Sequence, residues 1–150
     1  MQWCIEFFYT LPSIASGTDL SVLWLNRPSP PRYVLRLELM MTALDDNSGV
    51  FVAFPDPEQQ KYDNTAYVGI NFGFEVQIDE LVRPDNALIY RTGAIYSFKE
   101  PTDGPLIVNP VGEWNAYEIS VDPPDFTVAL NGKSLISSIS LETRSHRSVV

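Results

Sequence analysis

The stretch NFGFEVQIDE, residues 71–80, decides how this chain is read. Extended back to Tyr67, one parity carries Val68, Ile70, Phe72, Phe74, Val76 and Ile78, and the other Tyr67, Gly69, Asn71, Gly73, Glu75, Gln77 and Asp79. A side-chain period of two marks a strand with one face in a core. The stretch therefore predicts one strand from Tyr67 to about Asp79. Its second face would hold carboxylates, amides and two glycines, and glycine leaves a floor that a ligand can approach closely. Alternation alone favours the simpler alternative, a solvated acidic face.

The same reading applied outward predicts about eight strands and no helix. YVLRLELMMT (33–42) has Leu35, Leu37, Leu39 and Met41 on one parity and Arg36 and Glu38 on the other. DDNSG (45–49) reads as a turn, and VFVAF (50–54), apolar on both parities, as a central strand. GAIYSF (93–98) reads as a short strand. WNAYEISVD (114–122) points Tyr117, Ile119 and Val121 inward. FTVAL (126–130) and KSLISSIS (133–140) flank Asn131-Gly132, the dipeptide best suited to a type I′ hairpin turn. DLSVLWLN (19–26) is a further apolar segment, ended by the proline-rich corner RPSPPR. This pattern predicts an all-β fold, a jelly-roll β-sandwich. Residues 1–18 form an uncertain N-terminal segment, 19–140 the domain, and 141–150 a polar, basic tail read as disordered.

Composition narrows the functional classes. The net charge of −9 opposes binding to nucleic acid or an anionic membrane. No apolar run reaches the ~18 residues of a membrane helix, and the N-terminus lacks the basic start of a signal peptide. A single cysteine, Cys4, excludes an internal disulfide. The single histidine, His146, lies in the basic tail without a partner for zinc or a catalytic triad. The segment DDNSG is too short for an EF-hand loop.

The polar face of 67–79 is the one place where chemistry concentrates. Glu75 and Asp79 lie four residues apart, roughly 13 Å between Cα atoms in an extended strand. Side chains leaning together from that distance suit the wider carboxylate spacing of inverting glycosidases better than the narrower retaining one. Tyr67, Tyr96 and Trp114 are aromatics on which a sugar could stack, or ordinary core residues. Asn71 and Gln77 add amides to the same face.

Four segments, DNSGVFVAFPDP, FGFEVQIDE, RTGAIYSF and GEWNAYEISV with FTVALNG, occur in an order and spacing that resembles the 3-keto-disaccharide hydrolase domain family. The resemblance runs from about Leu20 to Ile136. It implies a concanavalin-type jelly roll with a sugar groove on its concave sheet, and a carbohydrate as the partner. It also implies cleavage of glycosides oxidised at carbon 3, which needs a base, a group that stabilises the enolate oxygen and an acid. By resemblance Glu75 is the base, and Asp79 the acid or a metal ligand. Gln77 orients substrate, Tyr96 and Trp114 line the groove, and Asn131 sits near its rim. A divalent metal such as calcium could polarise the ketone. The resemblance allows a secreted or periplasmic location. Ala53 stands where relatives commonly carry arginine, and Ala129 where they often carry histidine. The family's closing strand is missing from the pattern, which leaves a sheet edge open to association. A non-catalytic carbohydrate-binding domain and a degenerate accessory domain are the alternatives to an enzyme.

Overall fold

The hairpin at Asn131-Gly132 forms as its sequence demands, with φ of 49° and 72° at the two turn residues. It joins β5 (Asp125–Leu130) to β6 (Lys133–Ser140). The computed structural model describes residues 30–102 and 107–142, together with Val22 and Trp24. The N-terminal segment 1–18, most of the apolar stretch 19–26, the tail from 143 onward, Cys4 and His146 lie outside the described residues.

β1 (Tyr33–Met40), β4 (Trp114–Asp122), β5 and β6 form an antiparallel sheet in the order β1-β4-β5-β6. A second sheet pairs β2 (Asn47–Val52) with β3 (Phe74–Asp79). The sheets pack face to face as an all-β sandwich. Val52, Phe74, Val76 and Ile78 meet Tyr117, Ile119, Phe126 and Val128 in one core. The Phe74 ring lies 5.3 Å from that of Phe126 and 5.0 Å from that of Phe98. Each such side chain removed from water contributes roughly 1.5–3 kcal/mol. The outer face of the four-stranded sheet is polar. Arg36 and Glu118 lie directly opposite one another there and pair at 2.7 Å.

β4 occupies the span its alternation predicts, with Tyr117, Ile119 and Val121 buried. The stretch 67–79 does not. Ala66–Phe72 is a helix, α1, and only Phe74–Asp79 is a strand. The Asn64 side chain accepts from the Ala66 N–H at 2.9 Å and starts the first turn. Ala66, Val68 and Gly69 face inward, while Ile70 and Phe72 are exposed. Alternation over so short a run argues for a strand, but only as a weak local preference. Tertiary packing selects the helix, because Gly69 lets it close on β2: a Cβ there would stand 2.9 Å from Phe51 Cγ. Gly73 is equally confined, 3.0 Å from the Val52 carbonyl on the same test. Gly69 is thus a packing contact, while Gly73, though confined, also borders the open space beside β3.

Two further expectations change. β2 begins at Asn47, inside the predicted turn, and among the described residues it pairs with β3 alone. Its apolar residues on both parities reflect a core on one side and a pocket wall on the other. Residues 93–99 pair with β3 only briefly: Gln77 N–H donates to Ala94 O and Tyr96 N–H to Glu75 O, both at 2.9 Å. The segment then folds back, with Lys99 N–H on Ile95 O at 3.0 Å. The outer edge of β6 is partly covered by the same part of the chain. Thr102 N–H donates to Leu135 O at 3.0 Å, and Lys99 Nζ to Ser138 O at 2.7 Å. No helix among the described residues is long and apolar enough to cross a membrane.

One polar bond ties the two sheets through the apolar core. The buried Tyr117 hydroxyl donates to the Gln77 carbonyl at 2.8 Å. That carbonyl also accepts from Gly93 N–H at 2.9 Å, so removing the hydroxyl leaves no orphaned acceptor. Tyr117→Phe should therefore cost only about 1 kcal/mol. Urea unfolding should show a lower midpoint with an unchanged slope.

Candidate functional site

β2 and β3 place Phe51 opposite Glu75, Gly49 opposite Gln77 and Asn47 opposite Asp79. Opposed residues share a face of the sheet. With Phe74, Val76 and Ile78 in the core, these six lie on the other face. A pocket of about 380 Å³ opens there, lined by Asn47, Phe51, Ile70, Gly73, Glu75, Gln77, Tyr96 and Phe98. α1 supplies one wall through Ile70, and the turned-back segment after β3 supplies another through Tyr96 and Phe98.

Glu75 lies across Gly49. A Cβ at Gly49 would stand 2.7 Å from Glu75 Cδ, so glycine is required for the carboxyl group to rest where it does. Phe51, Ile70 and Phe98 share the lining and surround it with apolar surface. Burial, with no hydrogen bond to offset it, pushes the Glu75 pKa from 4.5 up to about 7. A carboxyl group with that pKa is divided between acid and base near neutral pH, as proton-transfer catalysis requires.

Gln77 is only 2% exposed. Its Nε2 donates to Asn47 Oδ1 at 3.3 Å, and its Oε1 is buried without a hydrogen-bond partner. Tyr96 is partly exposed at the pocket, its ring 5.0 Å from that of Tyr90. The structure thus brings Glu75, Gln77 and Tyr96 together.

The other expected site residues stand elsewhere. Asp79 shares the face of Glu75 but is fully buried in a structural network. Its Oδ1 accepts from Leu81 N–H at 2.8 Å, and its Oδ2 from Arg83 Nε at 3.1 Å. Arg83 continues to Asp45 O at 3.0 Å, closing the turn after β3 onto the loop before β2. Asp79 is therefore occupied as an anchor and is not presented as an acid or metal ligand. Asn71 ends α1 in the open, with its Nδ2 on the Tyr62 hydroxyl at 3.1 Å. Trp114 is 60% exposed on the outer face of β4, across the core from the pocket. Asn131 braces its own turn, donating to Ile107 O at 2.9 Å and accepting from Ala116 N–H at 2.8 Å. Tyr67 lies exposed on α1. Ala129 pairs with Glu118 on the outer face of the four-stranded sheet, so a histidine there would not reach this pocket.

Sequence reading missed Asn47, Gly49 and Phe51. Their alternation in NSGVF was the available signal, hidden by the turn chemistry of Asp45 to Gly49. As for a metal, among the described residues Glu75 is the one carboxylate in the lining, and the other polar groups there are the amides of Asn47 and Gln77 and the Tyr96 hydroxyl. No three His, Cys, Asp or Glu side chains converge among the described residues. That donor set does not fit a resident divalent cation.

The raised pKa makes stability depend on pH. Unfolded Glu75 titrates near 4.5 and folded Glu75 near 7. Between these values the native state holds the extra proton, so this group's contribution to stability falls as pH rises from 4.5 to about 7. Glu75→Gln should remove that loss. Urea unfolding across this range should show the variant gaining on the wild type up to about pH 7 and holding the difference above it.

The chain matches the 3-keto-alpha-glucoside-1,2-lyase-like domain family over residues 13–148. No curated protein matches it. Among solved structures, it is similar to two candidate glycosyl hydrolases from Parabacteroides distasonis. One is 19% identical with a TM-score of 0.59, over 77% of this chain and 55% of that one. The other is 25% identical with a TM-score of 0.54, over 71% of this chain and 50% of that one. The chain thus spans about half the length of the solved structures it matches. The similarity carries the fold, and the family match covers nearly the whole sequence: the chain belongs to the 3-keto-alpha-glucoside-1,2-lyase-like domain family.

Proposed function

We propose that this domain cleaves 3-keto glycosides by ketone-assisted elimination, with Glu75 as the base. The observation that carries this reading is a lone, desolvated carboxyl group in the pocket. Ordinary glycoside hydrolysis uses two carboxyl groups, roughly 5–9.5 Å apart across the scissile bond. Among the described residues this pocket has one, since Asp79 is committed to Arg83. Elimination needs one. A ketone at carbon 3 acidifies the proton on carbon 2. Glu75 takes that proton, the electron pair forms the carbon 1–carbon 2 double bond, and the glycosidic oxygen leaves. The proton on Glu75 is then available to the departing oxygen, and water adds to carbon 1 to complete hydrolysis. Tyr96 offers a face on which the sugar ring stacks. The family's name and the glycosyl hydrolase names of the two structural relatives support a glycoside as the ligand.

A carbohydrate-binding or accessory domain is the second reading. It is favoured by the absence, among the described residues, of a cationic side chain from the lining, which leaves the enolate without a charged partner there. One experiment separates the two readings. Purified wild type is given methyl 3-keto-α-glucoside beside Glu75→Gln, with both shown to be folded. Catalysis predicts release of methanol that falls by at least about 10²-fold in the variant. The wild-type rate should rise with pH and level off above about 7, as Glu75 ionises. Binding without release by the wild type would leave the carbohydrate-binding domain in place of the enzyme.

A further inference from the structure

The Gln77 amide is held in a costly orientation. Its oxygen is buried and unpaired, while its nitrogen meets Asn47, and both residues line the pocket. A buried acceptor left without a hydrogen bond is normally selected against. With Asn47 presenting Oδ1, turning the Gln77 amide alone would set two oxygens against each other. The nitrogen carries two hydrogens. One is used on Asn47, and among the described residues no acceptor takes the second. Glu75 and Gln77 are two residues apart on one strand face, roughly 7 Å between Cα atoms. Side chains at that spacing can reach two adjacent atoms of a sugar ring.

We infer that Gln77 Nε2 donates a hydrogen bond to the carbon 3 oxygen of the keto sugar, and that Asn47 is the positioning residue that turns the amide to do so. This rests on the elimination reading, in which negative charge develops on that oxygen as Glu75 takes the neighbouring proton. A neutral amide donor supplies stabilisation that the pocket's uncharged lining otherwise lacks. The main chain supports the arrangement. Gln77 N–H is fixed on Ala94 O and Gln77 O is fixed by Tyr117, so the side chain starts from a rigid position. The pocket is thereby selective for an acceptor oxygen beside the acidic carbon. The ligand class is a neutral keto sugar, since among the described residues no basic side chain lines the pocket to recognise a phosphate or a uronate.

The test uses methyl 3-keto-α-glucoside labelled with carbon-13 at carbon 3, with Gln77→Leu, Asn47→Ala and Asn47→Asp beside the wild type. Two quantities are read: kcat and KM for methanol release, and the carbonyl carbon-13 shift of the bound sugar. A donor that acts on developing charge predicts a fall in kcat of roughly 10²-fold in Gln77→Leu, with KM little changed. Asn47→Ala should lose about tenfold. Asn47→Asp keeps the acceptor for Gln77 Nε2 and should restore the wild-type value. The bound carbonyl should move downfield in the wild type and in Asn47→Asp, and not in the other two. Unchanged kcat and carbonyl shift in Gln77→Leu and Asn47→Ala would overturn the inference while leaving Glu75 as the base. A downfield shift that is present in the wild type and lost in Gln77→Leu, without methanol release, would overturn the elimination reading and uphold the Gln77 contact. No binding of the labelled sugar, or binding without a downfield shift, would overturn the Gln77 contact.

Discussion

The burial of alternate β3 residues sets the rest of the structure. Phe74, Val76 and Ile78 are locked against the four-stranded sheet, and a strand has only two faces. Glu75, Gln77 and Asp79 are therefore driven together onto the opposite face. A one-residue slip would put two carboxylates and an amide into the core, at a cost of several kcal/mol per ion. The register is held by this difference, and the Tyr117 hydroxyl on the Gln77 carbonyl adds a fixed polar point within the core.

The three polar residues on that face are treated unequally. Asp79 is fully paired, accepting from two backbone N–H groups and an arginine, and it fastens the turn to the loop before β2. Gln77 is half paired. Glu75 is desolvated by burial and left without a compensating donor. Two carboxyl groups four positions apart thus become a paired anchor in one case and a desolvated group of raised pKa in the other. Environment separates them: rings and a helix close over Glu75, while a turn rich in donors closes over Asp79.

Local chemistry that is complete within a few residues was legible in the sequence. The Asn131-Gly132 turn needs positive φ at both positions and takes it. WNAYEISVD alternates cleanly and is a strand over all nine of its residues. The order and spacing of four segments, from DNSGVFVAFPDP to GEWNAYEISV with FTVALNG, carried the family, which the match over residues 13–148 bears out. What failed depended on contacts distant in sequence. The period of two in Val68, Ile70 and Phe72 could not show that Gly69 would meet Phe51, which is what admits a helix. The aromatic character of Trp114 could not show which face of the sandwich it would take.

The all-β class, the hairpin, the core parity of β3 and β4, and the presence of Glu75 on a polar face are written in the local pattern of the chain. These follow from side-chain period and backbone preference, which act over two to four residues. Only the tertiary structure decided which polar residues form a pocket. It set Asn47 and Gly49 of β2 beside β3, and it gave Asp79 to Arg83. The physical reason is that desolvation and hydrogen-bond satisfaction belong to a group's whole surroundings. Those surroundings come from segments separated by tens of residues along the chain.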